Sequence, residues 1–156
     1  MEAVKTAVFT IASRNYFAFV KTLMASLKES NPDYERYVGV CDKITADFQV
    51  DAEDTGFIPI EDLNLPEAKK MIFRYNVLEL NTAIKPFVFK KLFNDYGFDR
   101  VIYFDPDIYV YERLTVLEEL FEKKYEIIMT PHLTGRYDDS TGTPNDLDIM
   151  KSGVYN

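Results

Sequence analysis

The chain has few of the side chains on which several common kinds of catalytic site depend. Its 156 residues include one cysteine, Cys41, and one histidine, His132. A single cysteine cannot form an intramolecular disulfide, and its position in the apolar run 37–41 is typical of a buried core thiol. A catalytic triad or a multi-histidine metal site would have to be built around one histidine. The sequence therefore disfavours both of these classes of site.

The chain also lacks the charge and hydropathy patterns of nucleic-acid-binding and membrane-spanning proteins. Its net charge is −8 and its sequence pI is about 4.7, and it has no basic run that could follow a phosphate backbone. No stretch approaches the length of a membrane span, and the N-terminus has no basic segment followed by an apolar one. We therefore predict no nucleic-acid partner, no transmembrane segment and a cytoplasmic location.

Length and apolar spacing predict one domain in which strands and helices alternate. With 47% apolar residues, 156 residues are enough for one core and too few for two, so we predict a single domain over 1–156. We predict strands over 4–12, 37–41, 57–60, 100–110 and 125–130, with another beginning at 153. We predict helices from 13–16 to 30 and over 43–49, 66–81, 82–96, 116–121 and 143–151, with a loop over 135–142. This alternation predicts an α/β fold with a mostly parallel twisted sheet and helices on both faces.

The apolar, β-branched and aromatic run 100–110 contains two carboxylates separated by a proline. In an extended chain, Asp105 and Asp107 leave the same face about 6 to 7 Å apart. Pro106 favours this arrangement because it fixes its own φ and disfavours a helical Asp105. Paired carboxylates suit a hard cation that also takes phosphate oxygens, which means Mg²⁺ or Mn²⁺ rather than zinc. The pair therefore predicts a metal and diphosphate site.

The same three residues have a second interpretation. Asp and Pro both favour turn positions, so Asp-Pro-Asp after a strand is also ordinary turn chemistry. Their place in the chain favours a binding role, because such folds bind ligands at the carboxyl ends of apolar strands. On the residues alone, both interpretations stay open.

Four stretches in this order resemble a known family. They are FTIASRNY at 9–16, TAIKP at 82–86, YFDPD at 103–107 and GVYN at 153–156. Together they resemble bacterial GT-A-fold glycosyltransferases, and they are most similar to the retaining, family-eight-like group with an Asp-x-Asp motif. The resemblance spans 4–156 and implies the Rossmann-like, three-layer GT-A fold. It also implies Mn²⁺ or Mg²⁺, a nucleotide diphosphate sugar, with a UDP-sugar favoured, and an acceptor of unknown identity.

The resemblance also implies which residues bind donor and metal. Carried over by position, the residues that bind the nucleotide sugar are Ala12, Ser13, Asn15, Asp42, Arg74, Lys85, Asp105 and Asn156. The metal ligands are Asp105 and Asp107. The first three contact the base and ribose, Asp42 reaches the base from the second strand, and a cation at Lys85 would offset the diphosphate charge. Taken alone, Ser13 and Asn15 are equally typical of a helix cap, and Lys85 of a solvated lysine before a helix.

The chain departs from the family in its extent. Family catalytic domains run on past position 156 with an acceptor-binding half and usually a late histidine that completes the metal shell. The chain resembles their N-terminal, donor-binding part, and His132 is either a substitute ligand or a capping or packing residue. We therefore expect weak donor affinity, and leave open whether this chain is an enzyme by itself. We also expect a poorly covered sheet edge or apolar face that favours a homo-oligomer.

Two other functions are compatible with these residues. One is a catalytically inert nucleotide-binding or interaction module, which donor binding without transfer would favour. The other is a Mg²⁺-dependent phosphohydrolase with Asp105 as nucleophile and Asp107 as acid. The pair of that class normally sits on the first strand, whereas three predicted strands precede it here. Phosphate release abolished by Asp105→Asn would favour the phosphohydrolase.

Overall fold

The computed structural model describes residues 4–44 and 54–131. The chain divides into two compact units, residues 1–113 and residues 114–156. The described part of the second unit contains a helix, α4 (Thr115–Glu122), which confirms the helix predicted over 116–121. The sheet lies in the first unit. The predicted single domain over 1–156 stays a prediction.

Four parallel strands form the sheet of the described first unit. They are β1 (Thr6–Ala12), β2 (Glu35–Val40), β3 (Thr55–Pro59) and β4 (Arg100–Tyr103), and their order is β3-β2-β1-β4. β1 has a partner on each side and all of its residues are buried, as expected of a central strand in a parallel sheet. β3 lies at an edge, where Pro59 is tolerated. The predicted α/β fold with a parallel sheet is confirmed.

Helices cover both faces of this sheet. They are α1 (Phe17–Ser30), α2 (Ala68–Arg74) and α3 (Val77–Asn94), with short 3₁₀ helices at Arg14–Tyr16 and Ile60–Leu63. Because side chains alternate along a strand, Ala7, Phe9 and Ile11 share one face of β1, and there they pack in one core cluster with α3. α1 contacts β1 and β2 but belongs to no part of that cluster, so it covers the opposite face. No helix of the described residues is both long and apolar enough to cross a bilayer.

The start of α3 differs from the prediction. The predicted boundary at Thr82 is wrong, since α3 begins at Val77 and Pro86 lies inside it. The backbone N–H of Glu79 donates to the Asn76 side chain at 2.9 Å, and the backbone N–H of Asn76 donates to the Glu79 carboxylate at 2.8 Å. This capping box satisfies two of the unpaired donors at the helix end and so begins the helix. It also holds Lys85 on a continuous helix.

Removal of this cap is expected to destabilise the first unit. We expect Asn76→Ala to lower the free energy of unfolding by about 1 kcal/mol, because the backbone N–H of Glu79 loses its side-chain acceptor. Urea denaturation followed by circular dichroism measures the change. The matched control is Asn94→Ala at the exposed last residue of the same helix, with an expected change below about 0.5 kcal/mol. Equal effects of the two variants would contradict a capping role for Asn76.

Two predicted strands are shorter or absent. The strand predicted over 100–110 ends at Tyr103, and residues 125–130 are irregular, with Tyr125, Ile127 and Met129 exposed. A β-branched run forms a strand when it packs on a sheet, and the sheet of the described residues does not include this one. The strand prediction for 125–130 is therefore wrong. The helix predicted over 43–49 lies outside the described residues except for its first two positions, as do the predictions for 135–142, 143–151 and 153 onward.

Candidate functional site

The strand order places a crevice at the carboxyl ends of β1 and β4. From β1 the chain continues to β2 and β3 on one side, and it then returns to β4 on the other side. In open parallel sheets, ligands bind outside the carboxyl ends of the two neighbouring strands at which the strand order reverses. The residues that directly follow these strands, Ser13 and Phe104, stand at this switch point.

The predicted base-binding residues come together at the end of β1. Ala12 and Ser13 are almost fully buried. The Ser13 hydroxyl donates to the Asn15 side-chain oxygen at 2.8 Å, and the backbone N–H of Arg14 donates to the Asp42 carboxylate. This bond ties the segment after β2 to the segment after β1. The arrangement presents short polar side chains beside a helix N-terminus, which suits hydroxyl and base edges.

The structure supports neither a helix-capping role for the Ser13 hydroxyl nor a reactive role for the Cys41 thiol. Ser13 precedes the first 3₁₀ helix, but its hydroxyl makes no capping hydrogen bond there. Cys41 packs against the core cluster, and burial raises the pKa of its thiol to about 12. Cys41 is thus only partly buried, rather than the fully buried thiol that was predicted, and a thiol with so high a pKa is almost wholly protonated at neutral pH.

The Asp-Pro-Asp segment forms a turn rather than an extended strand. The backbone N–H of Phe104 still donates to the Phe9 carbonyl at 3.0 Å, and the backbone N–H of Ile108 then donates to the Asp105 carbonyl at 3.3 Å. The prediction that Pro106 holds both carboxylates on one extended face is wrong. Pro106 instead occupies the second turn position, for which its fixed φ is suited, and Asp105 occupies the first. Asp105 is half-buried at the switch point, and Asp107 is exposed.

Tyr103 joins Asp105 to the core and to α3. Its hydroxyl donates to the Asp105 carboxylate at 2.6 Å, and its ring lies 5.2 Å from the ring of Phe9, centroid to centroid. Burial, followed by the bond to Asp105, raises the pKa of the Tyr103 hydroxyl, so this group stays a hydrogen-bond donor. Sequence analysis missed this residue. The signal was present, because a residue two positions before Asp105 at the end of a strand lies on its side of the chain.

Lys85 completes this cluster from α3. Its ammonium lies 3.8 Å from the centroid of the Tyr103 ring, a cation–π contact. Burial lowers the pKa of Lys85, and the Asp105 carboxylate opposes that shift. Lys85 is thus a half-buried cation close to a half-buried carboxylate, and the alternative of a solvated lysine before a helix is wrong.

Arg74 and Asn156 are not part of the arrangement described above. Arg74 is the exposed last residue of α2, and no contact between it and Lys85 or Asp105 is found in the described chain. Asn156 and His132 lie outside the described residues. The roles predicted for all of these residues remain predictions.

The donor set at the turn fits one kind of metal ion. Asp105 and Asp107 offer carboxylate oxygens, and no group of three or more His, Cys, Asp or Glu is found among residues 4–44 and 54–131. Mg²⁺ is commonly held by one or two carboxylates, with waters and substrate phosphates in the other positions. The two aspartates therefore fit a Mg²⁺ or Mn²⁺ ion that arrives with a phosphate ligand.

Comparison with known proteins gives only a distant structural similarity. No protein-family model matches the chain, and no curated protein matches its sequence. Among solved structures, an active-site mutant of LgtC, a family-eight GT-A glycosyltransferase, is similar with a TM-score of 0.42 and 21% identity. The match covers 71% of this chain and 41% of LgtC, so the chain spans less than half of that structure.

Proposed function

We propose that the switch point binds a nucleotide diphosphate sugar together with Mg²⁺ or Mn²⁺, as the donor site of a glycosyltransferase. The observation that carries the proposal is the cluster of Lys85, Tyr103 and Asp105 at the carboxyl ends of β1 and β4. A half-buried cation beside a half-buried carboxylate is arranged for a ligand that carries negative charge and brings a metal ion.

Each side of the crevice suits one part of such a donor. Ser13, Asn15 and Asp42 after β1 and β2 would contact the base and ribose, since they offer hydroxyl, amide and carboxylate groups at one edge. The diphosphate would lie toward Lys85, whose charge would stabilise the phosphate that leaves when the sugar is transferred. Low local exposure strengthens that attraction relative to an exposed lysine.

The turn after β4 would hold the metal ion. The Tyr103 hydroxyl orients Asp105, and Asp107 is exposed at the third position of the turn. A bound Mg²⁺ or Mn²⁺ would supply charge neutralisation at the diphosphate oxygens. The chain's own contribution is to orient Asp105 and to place Lys85 across from it. The family resemblance of the sequence favours UDP as the nucleotide, and the sugar and acceptor are left to experiment.

Titration calorimetry tests the donor site. We expect UDP or GDP to bind the wild-type chain in the presence of Mn²⁺, and to bind at least tenfold more weakly without it. Asp107→Asn is expected to abolish the effect of Mn²⁺, because one of the two carboxylates is lost. The matched control is Asp95→Asn, which makes the same charge change at an exposed residue that follows the last residue of α3. Asp95→Asn is expected to leave the Mn²⁺ dependence intact.

The outcomes separate the candidate functions. Binding that needs Mn²⁺ and Asp107, followed by sugar transfer to an added acceptor, supports the transferase donor site. Binding without transfer to a panel of acceptors favours the inert nucleotide-binding module. No binding of either nucleotide with either metal overturns the proposed function.

A further inference from the structure

A patch of exposed apolar and basic side chains lies where α2 meets α3. Its apolar members, all exposed, are Ile72, Phe73, Tyr75, Val77 and Leu78. Its basic members, also exposed, are Lys69, Lys70 and Arg74. We call these eight residues the α2–α3 surface. Phe73 is 90% exposed and Leu78 is 75% exposed, and no other seven-residue stretch of the described chain has as many exposed large apolar residues.

The residues of this surface are held on ordered helices. Met71 of α2 packs against the core cluster, and Leu80 of α3 is buried in it. The backbone N–H of Tyr75 donates to the Met71 carbonyl at 2.9 Å, and the capping box at Asn76 fixes the start of α3. The inner side of the junction is therefore anchored while its outer side faces solvent.

The charge of the surface is opposite to that of the whole chain. Residues 68–78 contain three basic residues and no Asp or Glu, in a chain of net charge −8. Of the neighbouring acids, Glu67 pairs with Lys70, so that Lys69 and Arg74 contribute most of the positive charge, and the Glu79 carboxylate accepts from the backbone N–H of Asn76. Exposed Phe and Leu next to Lys and Arg is the composition of segments that lie in the headgroup region of anionic membranes.

The surface projects beyond the same edge of the sheet as the switch point. Lys85 contacts Tyr103 at the carboxyl end of β4, and Val77 lies eight residues earlier, about 12 Å further along the helix axis. α3 ends at the opposite edge, where the backbone N–H of Lys5 donates to Asp99 just before β4. The start of α3 therefore lies on the side of the sheet where the strands end.

We propose that the α2–α3 surface docks the protein on an anionic lipid bilayer. Phe73 and Leu78 enter the boundary between headgroups and acyl chains, while Lys69, Lys70 and Arg74 contact lipid phosphates. The basic side chains of the surface complement the negative charge of lipid phosphates, and a second copy of the chain, which is acidic overall, is the other occupant that the experiment distinguishes. The inference is independent of the proposed donor site, because no residue of the Lys85, Tyr103 and Asp105 cluster takes part.

A single-tryptophan variant tests the docking directly. The chain has no tryptophan, so Phe73→Trp introduces a unique fluorophore at the centre of the surface. We expect its emission to shift to shorter wavelength with vesicles of phosphatidylcholine and phosphatidylglycerol, and not with phosphatidylcholine alone. The matched control is Tyr111→Trp, at an 84% exposed residue outside the surface, with no expected shift.

Vesicle flotation of variants without the added tryptophan separates the contribution of the apolar side chains to binding from that of the basic side chains. We expect Phe73→Ser with Leu78→Ser to lower binding to the anionic vesicles at least tenfold, and Lys69→Gln with Lys70→Gln to lower it and flatten its dependence on salt. The control for charge is Lys21→Gln with Lys90→Gln, two exposed lysines elsewhere in the first unit. All of these positions are exposed, and circular dichroism verifies that each variant is folded. Unchanged Trp emission with anionic vesicles, or a shift that instead follows protein concentration without vesicles, overturns the proposal.

Discussion

Phe9→Ala is expected to lower the free energy of unfolding by about 3 to 5 kcal/mol. Phe9 is fully buried in the central strand, with its ring 4.7 Å from that of Phe89 in an edge-to-face contact and 5.2 Å from that of Tyr103. Truncation removes both ring contacts and leaves a cavity between β1 and α3. Because domains of this size are stable by about 5 to 15 kcal/mol, much of the total would be lost. Urea denaturation of the purified variant measures it.

The control for this prediction is the same truncation on the surface. Phe19 of α1 is 51% exposed, and we expect Phe19→Ala to cost less than about 1 kcal/mol. A loss at Phe9 no larger than at Phe19 would contradict the packing described for the core. Where Phe9→Ala still folds, its nucleotide affinity reports whether the Tyr103 ring needs this support.

Lys85→Met is expected to weaken binding of UDP with Mn²⁺ by about 10- to 100-fold while leaving the fold intact. The prediction rests on the proposed donor site. A charged hydrogen bond to phosphate contributes about 1.5 to 3 kcal/mol, which corresponds to this range. Met keeps the apolar stem against the Tyr103 ring. Since burial disfavours the charged form of Lys85, the ligand-free Met variant is expected to be at least as stable as the wild type at neutral pH. Calorimetry gives the affinity and urea denaturation the stability.

This test is specific because the Met variant is expected to lose UDP affinity without losing stability. Lys90 lies on the same helix but is exposed, and we expect Lys90→Met to leave UDP affinity unchanged within about twofold. Uridine without phosphates is expected to bind both variants equally, if it binds at all. Loss of stability in Lys85→Met, or unchanged UDP affinity, would mean that Lys85 serves the fold rather than a ligand.

Local sequence patterns predicted most elements of the sheet and the first helix. β1, β2 and β3 are runs of β-branched and apolar residues bounded by polar ones, and α1 has an apolar stripe at helical spacing, so each is determined mainly by its own residues. The start of α3 was also visible in the sequence, since Asn76 and Glu79 have the spacing of a capping box. The proline of the 82–86 stretch suggested a helix start at Thr82 instead, because proline favours first turns.

The remaining differences depend on partners distant in the sequence. β4 ends at Tyr103 because the ladder with β1 stops there, after which Asp105 and Pro106 take turn positions that suit them equally well. The contact between Lys85 and Tyr103 joins a helix to a strand, and no local pattern specifies it. Sequence analysis therefore predicted Lys85 and Asp105 as separate candidates, but not the tyrosine that joins them.

The strand order also sets an order in time. Paired residues of β1 and β2 are 28 positions apart in the chain, whereas those of β1 and β4 are 94 positions apart. Closing the longer loop costs about 1 kcal/mol more chain entropy, so β4 is the late partner. During synthesis, β1, β2 and β3 leave the ribosome first and can associate before β4 exists. A nascent chain that stops before β4 thus has three adjoining strands, but it has not yet made Tyr103 or Asp105.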